Sequence, residues 1–310
     1  MTMGLPHDRA HLLWNDGPTR RFKKSIESWV NAMYNDDPSM SESHDVRRAR
    51  STIVAKSSGV LCGEPVLNHL FNRYCHNHEM HWRFHEGSKF QCGDVLLEVT
   101  GNTGDLLKIE RVCMNVITRL SGIATSTSEW QEKTHPVRLA ATRKTNWGVL
   151  DKWAVHTGGG LTHRLDRSDG IMIKENDFAV SDSPEFSLIA AKSKLTDFLV
   201  VEVVSAEHAF RAAKCWEKIL VDPASCDRIT LLLDNLDPDE CTGIADIVSS
   251  MGLRDSVILE GSGGVKWDNL HHWAKSSVDV VSSGTLTMES SVVDMTCLLY
   301  TSPSPRDRSI

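Results

Sequence analysis

Residues 142–176 read TRKTNWGVLDKWAVHTGGGLTHRLDRSDGIMIKEN, and the parsing of this stretch decides the fold. Arg143 and Lys144 stand side by side, Gly158-Gly159-Gly160 leads to His163-Arg164, and Lys174 closes the apolar, strand-like run Gly170-Ile171-Met172-Ile173. Arginine offers a planar fork that matches a carboxylate or phosphate. Lysine offers a compact point charge, and a glycine run lets backbone N–H groups approach an anion. So many cations would repel one another without a counter-charge, which implies a ligand carrying two or more negative charges. For any one arginine or lysine a solvated surface position is the simpler reading. The ensemble is harder to explain that way.

The same pattern continues downstream. VRLAATR (137–143), FLVVEVVS (198–205), RITLLLDN (228–235), DSVILEGSGG (255–264) and SVDVVSSG (277–284) are short apolar runs separated by helical stretches. That alternation predicts successive βα units and hence a parallel sheet or barrel. Arg143, Lys144, Lys174, Glu202, Asp234, Glu260, Ser262, Gly263, Gly264, Ser283 and Gly284 lie at or just past the ends of these runs. In a βα barrel those ends share one face and form the active site. The turns at Ser262-Gly263-Gly264 and Ser283-Gly284, each ahead of a potential helix, suit a phosphate held by backbone N–H groups. Glu202 and Asp234, on separate strands of that face, could bind Mg2+ directly, through water, or through a sugar hydroxyl.

Upstream, residues 1–45 are weakly patterned, with one helix expected over 22–34. A strand near 51–55, a helix from Pro65, short strands and glycine turns over 88–107, and a helix over 106–120 follow. The small residues Ser121-Gly122-Ile123-Ala124-Thr125 then allow tight packing or a continued helix. The chain has 310 residues and a net charge of -7, from 34 Lys+Arg against 41 Asp+Glu. An acidic balance argues against a general nucleic-acid binder, so any anion site is local. No apolar run is long enough to span a membrane and the first residues lack a signal-peptide core, so a soluble, cytoplasmic protein is expected. Eight cysteines without a CxxC pair read as buried free thiols. The run Cys75-His76-Asn77-His78-Glu79-Met80-His81 lacks a second ligand set and reads as a polar loop rather than a metal site.

TRKT, AVHTGGGLTHR, IMIKEN, VEV, LLLDN, LEGSGG and the earlier KIERVCMNVITRLSGIAT (108–125) resemble, in order and nearly in spacing, the motif set of the quinolinate phosphoribosyltransferase family. The likeness covers about residues 46–296. It implies an α/β fold: a mixed α/β N-terminal domain (1–115, joined by 288–296) plus an open seven-stranded α/β barrel (116–287) of the type II phosphoribosyltransferases. It also implies transfer of phosphoribose from phosphoribosyl pyrophosphate to quinolinate with decarboxylation, in the presence of Mg2+. The products would be nicotinate mononucleotide, pyrophosphate and CO2. By the same resemblance Arg143, His163, Arg164 and Lys174 would meet quinolinate, and Arg111 would reach the site from a second subunit of a homodimer or larger assembly. Lys144 would meet pyrophosphate, Glu202 and Asp234 the ribose hydroxyls and the metal, and Ser262, Gly263, Gly264, Ser283 and Gly284 the 5'-phosphate. Lys144, Lys174, Glu202 and Asp234 are the expected catalytic set.

Departures from that pattern are Asn146-Trp147-Gly148-Val149-Leu150, where a Pro-Gly pair and an arginine are usual, and Glu175-Asn176-Asp177, where an acid replaces a histidine. Thr285-Leu286-Thr287-Met288-Glu289 replaces small and polar residues, and residues 297–310 read as a disordered or foreign tail. Two further functions fit the residues: phosphoribosyl transfer to another carboxylated base, and a weakened relative that binds phosphorylated ligands without turnover.

Overall fold

A single threonine opens the first long helix: the Thr19 hydroxyl accepts the Phe22 N–H, and α1 (Arg20–Asp36) buries Phe22, Ile26 and Val30, one residue per turn along one stripe. The structure, a computed structural model, describes residues 4–37, 47–174, 188, 192, 198–220 and 228–301. Two units divide it. One comprises Ala10–Ser128, Asn146–Gly159 and Glu289–Ile310; the other comprises Met1–Arg9, Glu129–Thr145 and Gly160–Met288.

The first unit is built on an antiparallel sheet. β1 (Arg48–Ala55) lies between β12 (Met295–Thr301) and β5 (Val95–Asn102), with β3 (Glu79–Trp82) beyond β5. A register shift between Ile53 and Val54 bends β1 against β5. A two-stranded ribbon, β2 (Gly59–Val60) with β4 (Lys89–Phe90), lies apart from it. Helix α2 (Glu64–Tyr74) starts on Glu86, whose carboxylate accepts the Gly63 and Glu64 N–H groups at 2.9 Å each. Residues 297–301, expected to belong to a tail, instead extend β12 in register with β1 from Met295↔Ala55 to Thr301↔Ala49. Cys297-Leu298-Leu299-Tyr300 has the apolar, strand-forming character this pairing needs. Its Ser-Pro continuation lies outside the described residues.

Helix α3 (Thr103–Thr134) is longer than expected, running on through the small residues 121–125. Those residues let other chain segments press onto the helix. The Ser121 hydroxyl accepts the Cys62 N–H and donates to the Cys62 carbonyl, and Thr125 Oγ1 accepts the Val60 N–H. A Cβ on Gly122 would sit 2.2 Å from the Ser291 carbonyl oxygen, and one on Gly158 would sit 2.2 Å from that of Ala124. Gly158 ends α4 (Val149–Thr157), whose Leu150, Asp151, Lys152, Trp153, Ala154 and Val155 are all buried.

The second unit holds six parallel strands in the order β6 (Arg138–Ala140), β11 (Val280–Ser282), β10 (Val257–Ser262), β9 (Ile229–Asp234), β8 (Leu199–Val203) and β7 (Ile171–Ile173). Leu161 adds a seventh position through a one-residue parallel bridge to Ala140. The first strand pairs with the last, which is the connectivity of a barrel left open between Leu161 and β7 among the described residues. β9 and β10 are buried at every position but their last, as expected for strands covered on both faces. Helices Ala206–Ile219 and Pro238–Ser250 start on Ser205 and on an Asp237/Glu240 capping box.

Glycine to alanine in mid-helix ordinarily stabilises by about 1 kcal/mol. At Gly122 the sign should reverse: the added methyl collides with a backbone carbonyl that cannot rotate away, a cost of about 1–3 kcal/mol. Denaturant unfolding of Gly122→Ala against Ser126→Ala, on the same helix, measures it.

Candidate active site

Parallel strands end on polar residues, and the side chains at those ends converge. Past β6, Thr142 Oγ1 accepts the Lys144 N–H at 3.1 Å and turns the chain, leaving Arg143 and Lys144 exposed. The Lys144 carbonyl accepts the Thr287 hydroxyl at 2.6 Å, and a Cβ on Gly284 would lie 3.0 Å from Lys144 Cδ. Gly284 is therefore small so that the lysine stem can lie across the end of β11.

His163 and Arg164 are buried. His163 has φ 54°, a left-handed backbone that turns its ring inward, and its Nδ1 accepts the Arg164 N–H at 2.8 Å. Because Nδ1 accepts, the ring proton is on Nε2, which lies 3.2 Å from both oxygens of Glu260. The Arg164 fork is held at its outer nitrogens by the Gly170 carbonyl (3.2 Å) and Met172 Sδ (3.3 Å), while Nε is buried without a partner. Burial first, then repulsion from Arg143 and Arg167, lowers the Arg164 pKa from its usual value, opposed by Glu202 and Glu260. An arginine in that state gains from an added anion.

On the next strands Lys174 Nζ pairs with Glu202 Oε2 at 2.6 Å, and Asp234 accepts the Asn235 side-chain amide at 2.9 Å. The Asp234 carboxyl is pushed up by burial and by Glu202, against the pull of Lys174 and Lys144. Glu202 and Asp234, carboxylates at the ends of neighbouring strands, have the donor chemistry that a hard divalent cation takes. At the next strand end Ser262 is in register with Asp234 and Ser282. Gly263 (φ 91°) approaches Asn235 so closely that a Cβ would meet its Oδ1 at 2.3 Å. The segment beyond is a three-residue 3-10 turn and the four-residue helix Leu270–Trp273, shorter than expected. Ser283 is buried; its hydroxyl donates to the Val265 carbonyl and accepts the Thr285 N–H, so it ties two turns together.

Arg143, Lys144, His163, Arg164, Lys174, Glu202, Asp234, Ser262, Gly263, Gly264, Ser283 and Gly284 all belong to the parallel-sheet unit. Arg111 is exposed on α3 in the other unit. The unusual loop at Asn146 belongs to that same unit, and there Asp151 Oδ2 accepts the Asn146 and Trp147 N–H groups and pairs with Arg119 Nη2 at 3.0 Å. Residues 175–177 lie outside the described residues. Cys75 is buried, and burial first, then Asp105, pushes its thiol up to about 11, the opposite of a metal thiolate. Glu260, expected at a strand end on the active face, instead lies within β10 and is wholly buried, and His7 had no expected role. A carboxylate after Val257-Ile258-Leu259 was the one signal for Glu260, and nothing marked His7.

Two family descriptions match, quinolinate phosphoribosyl transferase N-terminal domain over residues 39–121 and C-terminal domain over residues 123–297. The chain belongs to the quinolinate phosphoribosyltransferase family. An Archaeoglobus fulgidus protein described as a probable nicotinate-nucleotide pyrophosphorylase (carboxylating) is 35% identical over 250 residues, covering 79% of this chain and 92% of its own. The Homo sapiens nicotinate-nucleotide pyrophosphorylase (carboxylating) is 31% identical over 286 residues, covering 89% and 90%. The crystal structure of NadC from Streptococcus pyogenes superposes with a TM-score of 0.77 at 27% identity, covering 91% of this chain and 98% of its own.

A carboxyl whose folded pKa is raised destabilises the fold while ionised. Asp234→Asn is therefore expected to melt above the wild type at neutral pH without ligands, with the gap closing as pH falls and the wild-type Asp234 takes up its proton. Melting curves at several pH values check it.

Proposed function

We propose that the chain transfers the phosphoribosyl group of phosphoribosyl pyrophosphate to the ring nitrogen of quinolinate and releases CO2, forming nicotinate mononucleotide, the step at which pyridine nucleotide synthesis acquires its ribose. Membership of the family supports the reaction. The observation that carries it is the gathering of Arg143, Lys144, Arg164 and Lys174 with Glu202 and Asp234 at the ends of one parallel sheet.

Quinolinate is a pyridine dicarboxylate, so Arg164, with an unpaired Nε, Arg143 and Lys174 have two carboxylates to receive. Lys144 stands where pyrophosphate departs, and the turns at Ser262-Gly263-Gly264 and Gly284 offer backbone N–H groups to the 5'-phosphate. Glu202 and Asp234 would hold Mg2+, directly or through ribose hydroxyls, and the bound ion would neutralise charge on the leaving pyrophosphate. The C1'–O bond breaks to an oxocarbenium-like state with the quinolinate nitrogen held behind it, and the C1'–N bond forms. When the adjacent C–COO− bond breaks and CO2 leaves, the electron pair stays on the ring carbon, stabilised by the neighbouring pyridinium charge, and that carbon then takes a proton. Catalysis is positioning plus electrostatics. Lys174 leaves Glu202 for the substrate carboxylate when the site fills.

The reading extends to assembly: exposed Arg111 on α3 would complete the site of a second copy in a homodimer or larger assembly. A cytoplasmic enzyme agrees with the free thiols of the described cysteines, and no helix among the described residues is long and apolar enough to cross a membrane.

Arg164→Ala should lower kcat/KM for quinolinate at least about 100-fold, from loss of a charge-assisted pair worth roughly 3 kcal/mol, with the melting temperature retained. Production of nicotinate mononucleotide, followed by chromatography with Mg2+ present or chelated, is the assay; near-normal turnover by the variant refutes the assignment. Co-expressing Arg111→Ala with Arg164→Ala should restore about a quarter of wild-type activity if each site of a dimer takes Arg111 from the other copy, and none if sites are self-contained.

A further inference from the structure

Residues 4–9 run into the interior of the parallel-sheet unit, ahead of residue 39, where the family match begins. Leu5 packs on Ala140, Leu161, Ile258 and Val280, the inward-facing side chains of successive strands, and the Gly4 carbonyl accepts an Arg228 N–H at 2.6 Å. His7 is wholly buried. Its ring stacks obliquely on Phe198 (4.8 Å between centroids) and meets His163 edge-on (5.4 Å), while Phe198 lies 5.1 Å from His163.

The side-chain contacts of His7 and Arg9 lead to the loop that carries His163 and Arg164. The Thr162 hydroxyl accepts the Arg9 N–H at 2.8 Å and donates to the His7 carbonyl at 3.3 Å. Arg9 Nε pairs at 2.9 Å with Asp169, whose other oxygen accepts the Leu165 N–H at 2.7 Å. His7 Nε2 lies 2.9 Å from Glu260 Oε2, and the same carboxylate receives His163 Nε2. Burial alone would raise the Glu260 pKa, but His163 and His7 outweigh it and hold the group far below its usual range. An ionised Glu260 can only accept, so both imidazoles donate to it from Nε2.

His7, His163 and Glu260 also have the proximity of a metal-ligand set. The protons argue otherwise. A metal on His163 Nε2 would displace the proton there while Nδ1 still accepts the Arg164 N–H, leaving an imidazolate. The cluster is a proton-bonded one. His7 Nδ1 is buried with no hydrogen-bond partner, a cost that a purely space-filling residue would not carry.

We propose that residues 4–9 are a strap whose His7, acting through Glu260, fixes the ring orientation and tautomer of His163, so that this segment completes the quinolinate subsite. His7 is a positioning residue in this scheme. The inference rests on the functional reading above for its substrate, but not for its geometry.

The test compares His7→Leu, which removes the donor at similar volume, with His7→Gln, whose amide keeps an N–H at about the same reach. In His7→Leu the KM for quinolinate should rise about tenfold, as when an outer-shell partner of a working histidine is lost, with kcat and the KM for phosphoribosyl pyrophosphate within about twofold of wild type. His7→Gln should restore most of the loss. Selective 15N-histidine spectra of the ligand-free protein should show His163 as the Nε2–H tautomer in wild type and His7→Gln, and as a mixture in His7→Leu. Unchanged quinolinate KM and His163 spectrum in a folded His7→Leu protein overturn the proposal, as does an equal loss in every kinetic parameter that His7→Gln fails to rescue. Should His7→Leu not fold, Arg9→Gln, which releases the Asp169 anchor, is judged by the same two readouts. Wild type inactive on quinolinate defeats the functional reading alone, because the ring spectrum needs no substrate.

Discussion

The second unit gathers Arg143, Lys144, Arg164 and Lys174 about the ends of one parallel sheet, with Arg167 close enough to Arg164 to repel it. That electrostatic constraint organises the site. Arg164 sits where burial and two neighbouring guanidinium groups weaken its hold on its proton, and only Glu202 and Glu260 act in its favour. Glu202 pairs with Lys174, and Asp234 bears the cost of lying near Glu202. The strand ends are thus partly self-neutralised by the Lys174–Glu202 pair.

A second consequence concerns Glu260. A carboxylate buried among Ile258, Leu259 and Val280 persists only if its charge is met, and two N–H donors in the same cavity meet it. One of those donors comes from a residue 253 positions away in sequence. The interior of this unit is therefore closed by a polar latch as well as by apolar packing.

Most of the fold was legible because parallel strands buried on both faces leave continuous apolar runs, and each such run ended on a polar residue that proved to lie at a strand end. Legibility failed where the signal was a relation between distant segments. Ser121 and Gly122 looked equally like a turn or a helix, and what makes them helical is the close approach of residues 62 and 291, which propensity cannot show. Cys297-Leu298-Leu299-Tyr300 was discounted for its Ser-Pro neighbours, yet β1 offers an unpaired edge that this apolar segment fills. The Ser283 hydroxyl joins Val265 to Thr285, a link between two turns that no local pattern shows. His7 was invisible, since a lone histidine in a polar leader carries no periodic signal.

The Asn146-Trp147-Gly148 loop shows how a departure from a family pattern is absorbed. With no arginine and no proline there, the turn needs another anchor, and buried Asp151 supplies it by accepting two loop N–H groups while its charge is met by Arg119. Arg119 in turn lies 5.0 Å from the Trp147 ring, so the residue that looks most foreign to the pattern covers the ion pair that holds its own loop. Its altered residues have become structural partners: Trp147 covers Arg119, and the Asn146 and Trp147 N–H groups anchor on Asp151.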